Sequence, residues 1–522
     1  MPILSTTARR RALGLVVVVA AASLVLAGCT SSSTKTTTSS SKEGGTITLG
    51  RVASVTSFDP NTQITSNNAF AIDKVFESLV SFNAKGAIIP SLASKYSISS
   101  DGLSYTFDLR KGVKFSDGTK LTPADVVFSL KRNESSSDPL PLDAPITSIA
   151  ASGSDAVKIT LSSPYTPLLA ELSGFQNSIF PANFEGKTAA AFFKAPIGTG
   201  PFVVSKWDTS GDLTFVKNKN YWQPGKPYID KLVYKLVSTD TQLVQQLQSG
   251  EINAIDEVND SSVSSLQSNS SVSVETAGSW VIEQLFFNTQ NQYFSDRNVR
   301  RAVAQALDRS GITKATTFGT AKVANSLIPP TIAYSANSSG YALKYDVTQA
   351  KADLAQSKYP KGFTTTLMIP SGDSLRSQEA QIIQSSLAKI GITVKIQSID
   401  LATFRANFFA YKFDFMIDSG QSDYPDPDEL VTFQADPSGF SKSYWTHYSN
   451  ATVTPLLAKA RQTPDGSSRK SLYLEIQKIL AGDVPYVPFF YPSTIKATSS
   501  NVHGVTVLPN GSIDFQDAWI SK

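Results

Sequence analysis

Two stretches of this 522-residue chain hold side chains suited to recognition chemistry. Asp418, Asp423, Asp426, Asp428 and Glu429 crowd one of them, and Arg376 stands upstream. A guanidinium pairs bidentately with a carboxylate. A carboxylate can countercharge a cation that leaves water, or it can ligate calcium. Asp426, Asp428 and Glu429 lack the glycine and the spacing of an EF-hand loop, so they read as a solvated acidic loop. The usual equipment of catalysis is scarce. The chain has two histidines, His447 and His503, and one cysteine, Cys29. That excludes cysteine-rich zinc sites, and H-E-x-x-H is absent. Also absent are G-x-x-x-x-G-K-[ST], G-x-G-x-x-G and G-x-S-x-G, and no local signature supports a Ser/His/Asp triad. The residue types point to binding, with no enzymatic activity, no metal and no cofactor.

Hydrophobic periodicity supplies the elements that position these groups. Thr364 to Ile369 reads as a strand. Ser374 to Ile390 reads as a helix with Leu375, Ile382, Ile383, Leu387 and Ile390 inward, and Gly391 lies just past its end. Ile392, Val394 and Ile396 alternate in the next strand, Leu401 to Ala410 is a second helix, and Phe413 to Ile417 a third strand. Two successive βαβ units imply a parallel or mostly parallel sheet with right-handed crossovers. Ligands of such sheets bind beyond the carboxyl ends of the strands. Two loops qualify: Pro370 to Asp373, leading into the helix of Arg376, and Asp418 to Asp428. An arginine and an acidic loop thus share one edge of one lobe.

The rest of the body is also mixed α/β. Gly45 to Arg51 alternates like a first strand, and Tyr105, Phe107 and Leu109 mark a half-buried one. Lys111-Gly112 turns the chain, and Val113 and Phe115 begin a partner strand ending at Asp117-Gly118. Thr122-Pro123 opens a helix in which Thr122 can accept an N-cap hydrogen bond and Val126, Val127 and Leu130 face inward. Thr241 to Ser249 is a helix stopped by Gly250. Asp296 to Arg309 is another, with Val299, Ala302, Val303, Ala306 and Leu307 on one stripe.

The N-terminal residues have a different logic. Arg9, Arg10 and Arg11 precede an uncharged run from Ala12 to Ala27, too short to span a bilayer comfortably. This is the secretory pattern, and Leu26-Ala27-Gly28-Cys29 resembles the bacterial lipobox. That resemblance implies cleavage after residue 28 and acylation of Cys29. Residues 30–42 are Ser-, Thr- and Lys-rich and read as a flexible tether. Loss of Arg9, Arg10 and Arg11 lowers the net charge from +4 to +1. A near-neutral body argues against nucleic acid as a partner, and a mature chain of about 480 residues suits two or three domains.

The segment Leu92-Ala93-Ser94 through Ser100-Asp101-Gly102-Leu103-Ser104-Tyr105-Thr106-Phe107-Asp108-Leu109-Arg110-Lys111-Gly112-Val113-Lys114-Phe115-Ser116-Asp117-Gly118, followed by Leu121-Thr122-Pro123-Ala124-Asp125-Val126, closely resembles the signature of family 5 extracellular solute-binding proteins, the peptide- and nickel-type receptors of ABC importers. Further landmarks follow in order: Gly198-Thr199-Gly200-Pro201-Phe202, Asn220-Tyr221-Trp222, Phe287-Asn288 before Arg297-Asn298-Val299-Arg300-Arg301-Ala302, Lys389-Ile390-Gly391-Ile392, and Asp423-Tyr424-Pro425-Asp426-Pro427.

The resemblance implies an α/β, two-lobed periplasmic-binding-protein-like fold with three domains and hinge closure on a ligand. After a signal peptide (1–28) and the lipidated tether (29–43), domain I would be split over 44–85, 196–285 and 494–522. Domain II would take 86–195 and domain III 286–493. The implied role is a lipid-anchored, extracytoplasmic, monomeric receptor that passes oligopeptides or dipeptides to an ABC permease. An oligosaccharide, a nickel chelate or an amine-bearing metabolite is the alternative solute, and a surface enzyme or peptide-sensing lipoprotein the alternative class. By the same resemblance Asp423 would pair with a ligand ammonium, against a simple turn-capping role. Arg376 would hold a ligand carboxylate, against an exposed pair with Glu379. Ser419, Gly420 and Gln421 would line up with an extended peptide through backbone groups. Ser57 and Phe58 would contact the ligand from the opposite lobe. Trp280 and Trp445 are pocket candidates for which core packing is the competing role. Arg110, Lys111 and Asp117 would be surface and turn residues.

Overall fold

Alternation along Thr46–Arg51 buries Ile47 and Leu49 and sets that strand in the middle of a seven-stranded mixed sheet. The computed structural model describes residues 42–62, 65–136, 142–438 and 446–521; Cys29, most of the tether and Trp445 lie outside them. The order across this sheet is Val272–Gly278, Ser493–Ser499, Ala254–Ile255, Thr46–Arg51, Lys231–Leu236, Leu213–Lys217 and Phe202–Trp207. Strands from three distant parts of the chain therefore share one sheet, and the core under Thr46–Arg51 and its Lys231–Leu236 side includes Phe58, Phe70, Phe202 and Phe215.

A separate four-stranded antiparallel sheet runs Ala93–Ile98, Ser104–Leu109, Ala156–Leu161, Ile146–Ala151. Tyr105, Phe107 and Leu109 are buried in it, as their alternation requires. The expected partner strand at Val113–Phe115 does not form. Lys114 makes only an isolated bridge to Lys120, and the neighbours of Ser104–Leu109 come from sequence segments on either side. The Pro123–Glu134 helix starts where Thr122-Pro123 indicates, with Thr122 at the N-cap in a capping box with Asp125. The Thr122 hydroxyl donates to Asp125 Oδ2 at 2.7 Å, and that same oxygen accepts the Thr122 N–H.

The third large sheet has six strands: Lys322–Val323, Tyr486–Tyr491, Val281–Phe287, Phe415–Gln421, Thr364–Pro370, Thr393–Ile399. The two βαβ units are present, with Thr364–Pro370 parallel to both Thr393–Ile399 and Phe415–Gln421. Beyond Phe415–Gln421 the sheet turns antiparallel through Val281–Phe287 and Tyr486–Tyr491. It is mixed, because the strand at Val281–Phe287 enters from outside the repeating segment. The helices Ser374–Ala388 and Leu401–Phe409 form as their periodicity predicts. The single helix expected over Asp296–Arg309 is two: Arg297–Ala306 ends at Leu307, and Asp308 caps a new helix, Arg309–Thr317. Among the described residues, no helix is long and apolar enough to cross a membrane.

Candidate functional site

The helix Ser66–Val75 carries an apolar run, Phe70, Ala71, Ile72 and Val75, interrupted by Asp73 and Lys74. Charges inside a buried run must face something polar, and here they face a cavity of 330 Å³. Its walls include Asp73, Lys74 and Glu77 at the end of this helix, Tyr221 and Trp222, Ser512 and Asp514 near the C-terminus, and Asp423. The volume falls near the lower end of ordinary small-molecule sites, roughly 300–1,000 Å³.

The helix end is fixed by backbone contact. Gly200 N–H donates to Val75 O at 2.8 Å. A Cβ on Gly198 would lie 2.0 Å from that oxygen, and one on Gly200 2.7 Å from it. Only glycine permits this approach, which accounts for the Gly198-Thr199-Gly200 landmark. Asn220-Tyr221-Trp222 has a related task. Trp222 Nε1 donates to both Glu77 carboxylate oxygens at 3.0 Å, and Tyr221 OH bonds Glu77 Oε1 at 3.3 Å and Gln516 Oε1 at 2.7 Å.

Asp423 enters from the loop after Phe415–Gln421. Its backbone N–H donates to Glu429 Oε2 at 2.8 Å, and its Oδ2 accepts from Gln176 Nε2 at 3.1 Å. Burial pushes the Asp423 carboxyl up to about 7, against the pull of the Gln176 hydrogen bond. Burial raises Glu77 to about 7 and Asp73 to about 6, and lowers Lys74. These groups give the cavity an anionic, partly protonated lining. Among the described residues no group of three or more His, Cys, Asp or Glu could hold a metal ion.

Other expected contacts are placed elsewhere. Arg376 is not on the cavity wall. Its Nε donates to Glu283 Oε1 at 2.8 Å, and its Nη2 lies 3.0 Å from Asp418 Oδ1. Burial opposes the guanidinium charge, but Glu283 and Asp418 outweigh it and hold Arg376 protonated above its ordinary range. The exposed pair with Glu379 does not form either; Glu379 is fully buried, neither of its oxygens has a hydrogen-bond partner among the described residues, and burial raises its carboxyl well above the ordinary range against the pull of Arg376. Phe58 is fully buried against Trp207, with ring centroids 4.9 Å apart, and Ser57 N–H is held by Asn68 Oδ1 at 3.3 Å; neither lines the cavity. Trp280 is fully buried beside Phe82, with centroids 4.8 Å apart, and is core.

Ser419, Gly420 and Gln421 lie opposite Glu283, Ile282 and Val281, while the other edge of their strand pairs with Thr364–Pro370 only at Phe415 and Met416. The acidic loop is not solvated. Asp426 pairs with Arg469 and Asp428 with Arg461, and Glu429 receives the Ser422 hydroxyl at 2.7 Å; all three acids are buried. Arg110 is more than a surface residue, since its guanidinium lies 4.4 Å over the Trp222 ring and its Nε donates to Ser91 O. Sequence reasoning missed Asp73, Lys74 and Glu77. The available signal was an Asp-Lys pair inside an apolar helical run.

The model for the middle region of bacterial extracellular solute-binding proteins, family 5, matches residues 87–442. The chain belongs to this family. It is a solute-binding receptor of an ABC importer, not an enzyme, with the mixed α/β architecture of periplasmic binding proteins. The receptor is 26% identical over 482 residues to the glutathione-binding protein GsiB of Escherichia coli K12, covering 89% of this chain and 93% of that one. It superposes with a TM-score of 0.81 and 29% identity on Helicobacter pylori DppA in complex with the peptide STSA, covering 92% and 99% of the two chains. AgaA of A. tumefaciens R10, in complex with agropinic acid, gives 0.81 and 28% over the same shares.

Proposed function

We propose that this family 5 receptor is a lipid-anchored, monomeric protein that captures an oligopeptide or dipeptide outside the membrane and passes it to its permease. The observation that carries the reading is Asp423, a carboxyl on the wall of the cavity whose burial, with no countercharge beside it, pushes it up to about 7. A ligand α-ammonium offsets that cost and returns the group to its ionised form. Ser419, Gly420 and Gln421 do not line this cavity; their part in the reading is that of an extended segment just before Asp423 whose backbone can align a ligand without selecting side chains. We place the anchor at Cys29, after a signal peptide over 1–28 and before a tether ending at 43. We assign a split domain I (44–85, 196–285, 494–522), a domain II (86–195) and a domain III (286–493), a three-part division that the presence of three large sheets supports.

A second reading is favoured by Arg376. Its guanidinium is already matched by Glu283 and Asp418, so a ligand carboxylate would have to compete for it. An amine-bearing solute other than a peptide escapes that requirement. Mass spectrometry of the ligand that co-purifies with the mature body, followed by isothermal titration against a peptide library, tests both. Peptide binding in the titration supports the first reading. Binding of sugars, opines or simple amines with no peptide binding removes it.

A further inference from the structure

Gln176 stands behind the cavity wall, buried in the short turn Phe175–Asn177, while Phe175 and Ser178 on either side of it line the cavity. Its amide reaches forward to Asp423 Oδ2 at 3.1 Å. A glutamine gives up rotamer freedom when it is fixed in one place, so a fixed amide needs a holder, and two are present. Asn61 Nδ2 donates to Gln176 O at 2.9 Å and to Asn133 Oδ1 at 3.0 Å. Asn61 Oδ1 in turn accepts from Arg132 Nη1 at 2.6 Å, and both Arg132 terminal nitrogens meet the Asp59 carboxylate at 2.7 Å, a bidentate clamp. The second holder is Gly174. A Cβ there would collide with Gln176 Oε1, so glycine leaves the amide its place. The loop of Ser57 and Phe58, which does not touch the cavity itself, is therefore joined to Asp423 through Asp59, Arg132, Asn61 and Gln176.

We propose that Gln176 is a positioning residue for ligand capture, its amide aiming the Asp423 carboxylate at a ligand ammonium that Gln176 itself does not touch. The proposal rests on the ammonium reading of Asp423 and adds the group that prepares that carboxylate. A hydrogen bond donated to a carboxylate favours its ionised form. The charged groups around Asp423 work against ionisation: Asp73 raises its carboxyl, and Glu429, on the helix that follows, accepts the Asp423 N–H and repels the carboxylate. Lys74, Glu77 and Asp514 lie on the same cavity wall. Gln176 pulls the other way. It thus does two things for one ligand group, fixing the direction of the carboxylate and favouring the charge that the ammonium requires.

Two variants test this. Gln176→Met keeps the size of the side chain and removes the donor, and Gln176→Glu keeps the size and puts an acid in its place. The aspartate carboxyls of the ligand-free mature protein, labelled with carbon-13, are titrated by NMR, the Asp423 resonance being the one lost in Asp423→Asn. The proton affinity of Asp423 should rise about threefold or more in Gln176→Met, and further in Gln176→Glu. A merely structural role gives the opposite sign, because loosened packing admits water and lowers the midpoint. An unchanged or lower midpoint in either variant overturns the proposal. Isothermal titration with trialanine at about pH 6.5 reads the consequence: affinity should fall about tenfold or more in Asp423→Asn and about threefold or more in Gln176→Met. Wild-type affinity in Gln176→Met beside a loss in Asp423→Asn overturns the positioning role alone. Wild-type affinity in Asp423→Asn, or no binding of trialanine by the wild type, overturns the peptide-ammonium reading on which the proposal rests.

Discussion

Gln176 donates its side-chain N–H to Asp423 Oδ2 at 3.1 Å, bridging residues 247 positions apart in the chain. The bond occupies one lone-pair direction of a carboxylate that otherwise faces the cavity and leaves the rest open to a ligand. Asp423→Asn keeps the shape and an acceptor for Gln176 while removing the charge. Affinity for an ammonium-bearing ligand should fall at least tenfold, about 1.4 kcal/mol, with the thermal midpoint unchanged or raised, because a desolvated carboxyl is no longer buried. Unchanged affinity by titration calorimetry would remove Asp423 from the site.

Stability and binding should respond to pH in opposite directions. Asp73, Glu77 and Asp423 all have carboxyls raised on folding, to about 6, about 7 and about 7. Folding therefore favours their protonated forms. That contribution is fully present below the unfolded values near 4 and lost as pH rises through about 7. The ligand-free protein should melt higher at about pH 5 than at about pH 8 through these groups. Affinity for a cation should climb over the same interval, with protons released on binding. Titrations in buffers of different ionisation enthalpy read that release directly, and a buffer-independent heat at about pH 6.5 would contradict it.

Arg376 should matter to the fold more than to the ligand. Its side chain is buried between Glu283 and Asp418, and Arg405 reaches Asp418 from the other side at 2.6 Å. Removing one partner of a buried ion cluster leaves an uncompensated charge and costs about 3–5 kcal/mol. Denaturant unfolding of Arg376→Ala should show a loss of that order. Affinity at a temperature where the variant stays folded should remain within about threefold of wild type, which is less than about 1 kcal/mol. A large loss of affinity with little loss of stability would restore Arg376 to the ligand.

The contrast between Arg376 and Asp423 shows where sequence reading reached and where it stopped. The two βαβ units were legible because their strands and helices carry their own periodicity, and they placed both residues on one sheet edge. Whether a charge at that edge faces a cavity or its own chain depends on Val281–Phe287, which brings Glu283 beside Arg376 from outside the repeating pattern. Local sequence around Arg376 holds no trace of that partner. Phe58 failed for the same reason, because the aromatic rings that enclose it, Trp207 and Phe215, are far off in sequence. Asp426, Asp428 and Glu429 looked solvated because their arginine and hydroxyl partners include Arg461 and Arg469, from two later helices. Asp73 and Lys74 were hidden differently: an Asp-Lys pair on a helix resembles an exposed face until the flanking Phe70, Ile72 and Val75 are found to be buried.

Gly198 and Gly200 should be intolerant of any side chain. A Cβ at Gly198 would meet a carbonyl oxygen, which cannot rotate away as a flexible side chain can. Gly198→Ala must therefore push the Ser66–Val75 helix end outward, and overpacking costs of this kind run about 1–3 kcal/mol or more. The same displacement moves Lys74 and Glu77. Affinity and unfolding free energy should fall together, and a stable Gly198→Ala protein with wild-type affinity would show that the close approach has no bearing on the site.

Loss of Cys29 should leave the binding reaction intact and impair its use. Cys29→Ser removes the thiol that a lipid would occupy while changing none of the described residues. The purified mature body should bind ligand as wild type does. In cells, the protein should move from the membrane fraction to the soluble one, and mass spectrometry of the wild-type N-terminal peptide should show acyl chains on Cys29. Each buried lipid CH₂ contributes about 0.8 kcal/mol, and one chain alone gives only marginal attachment, so retention requires a multiply acylated cysteine. On the proposed anchor, residues 30–42 would confine the receptor to a thin layer beside its permease, where effective concentration replaces bulk encounter. Ligand uptake by Cys29→Ser cells should consequently fall most steeply at low external ligand and recover when the soluble receptor is overproduced. Membrane retention of Cys29→Ser, or an unmodified wild-type Cys29, would contradict the anchor.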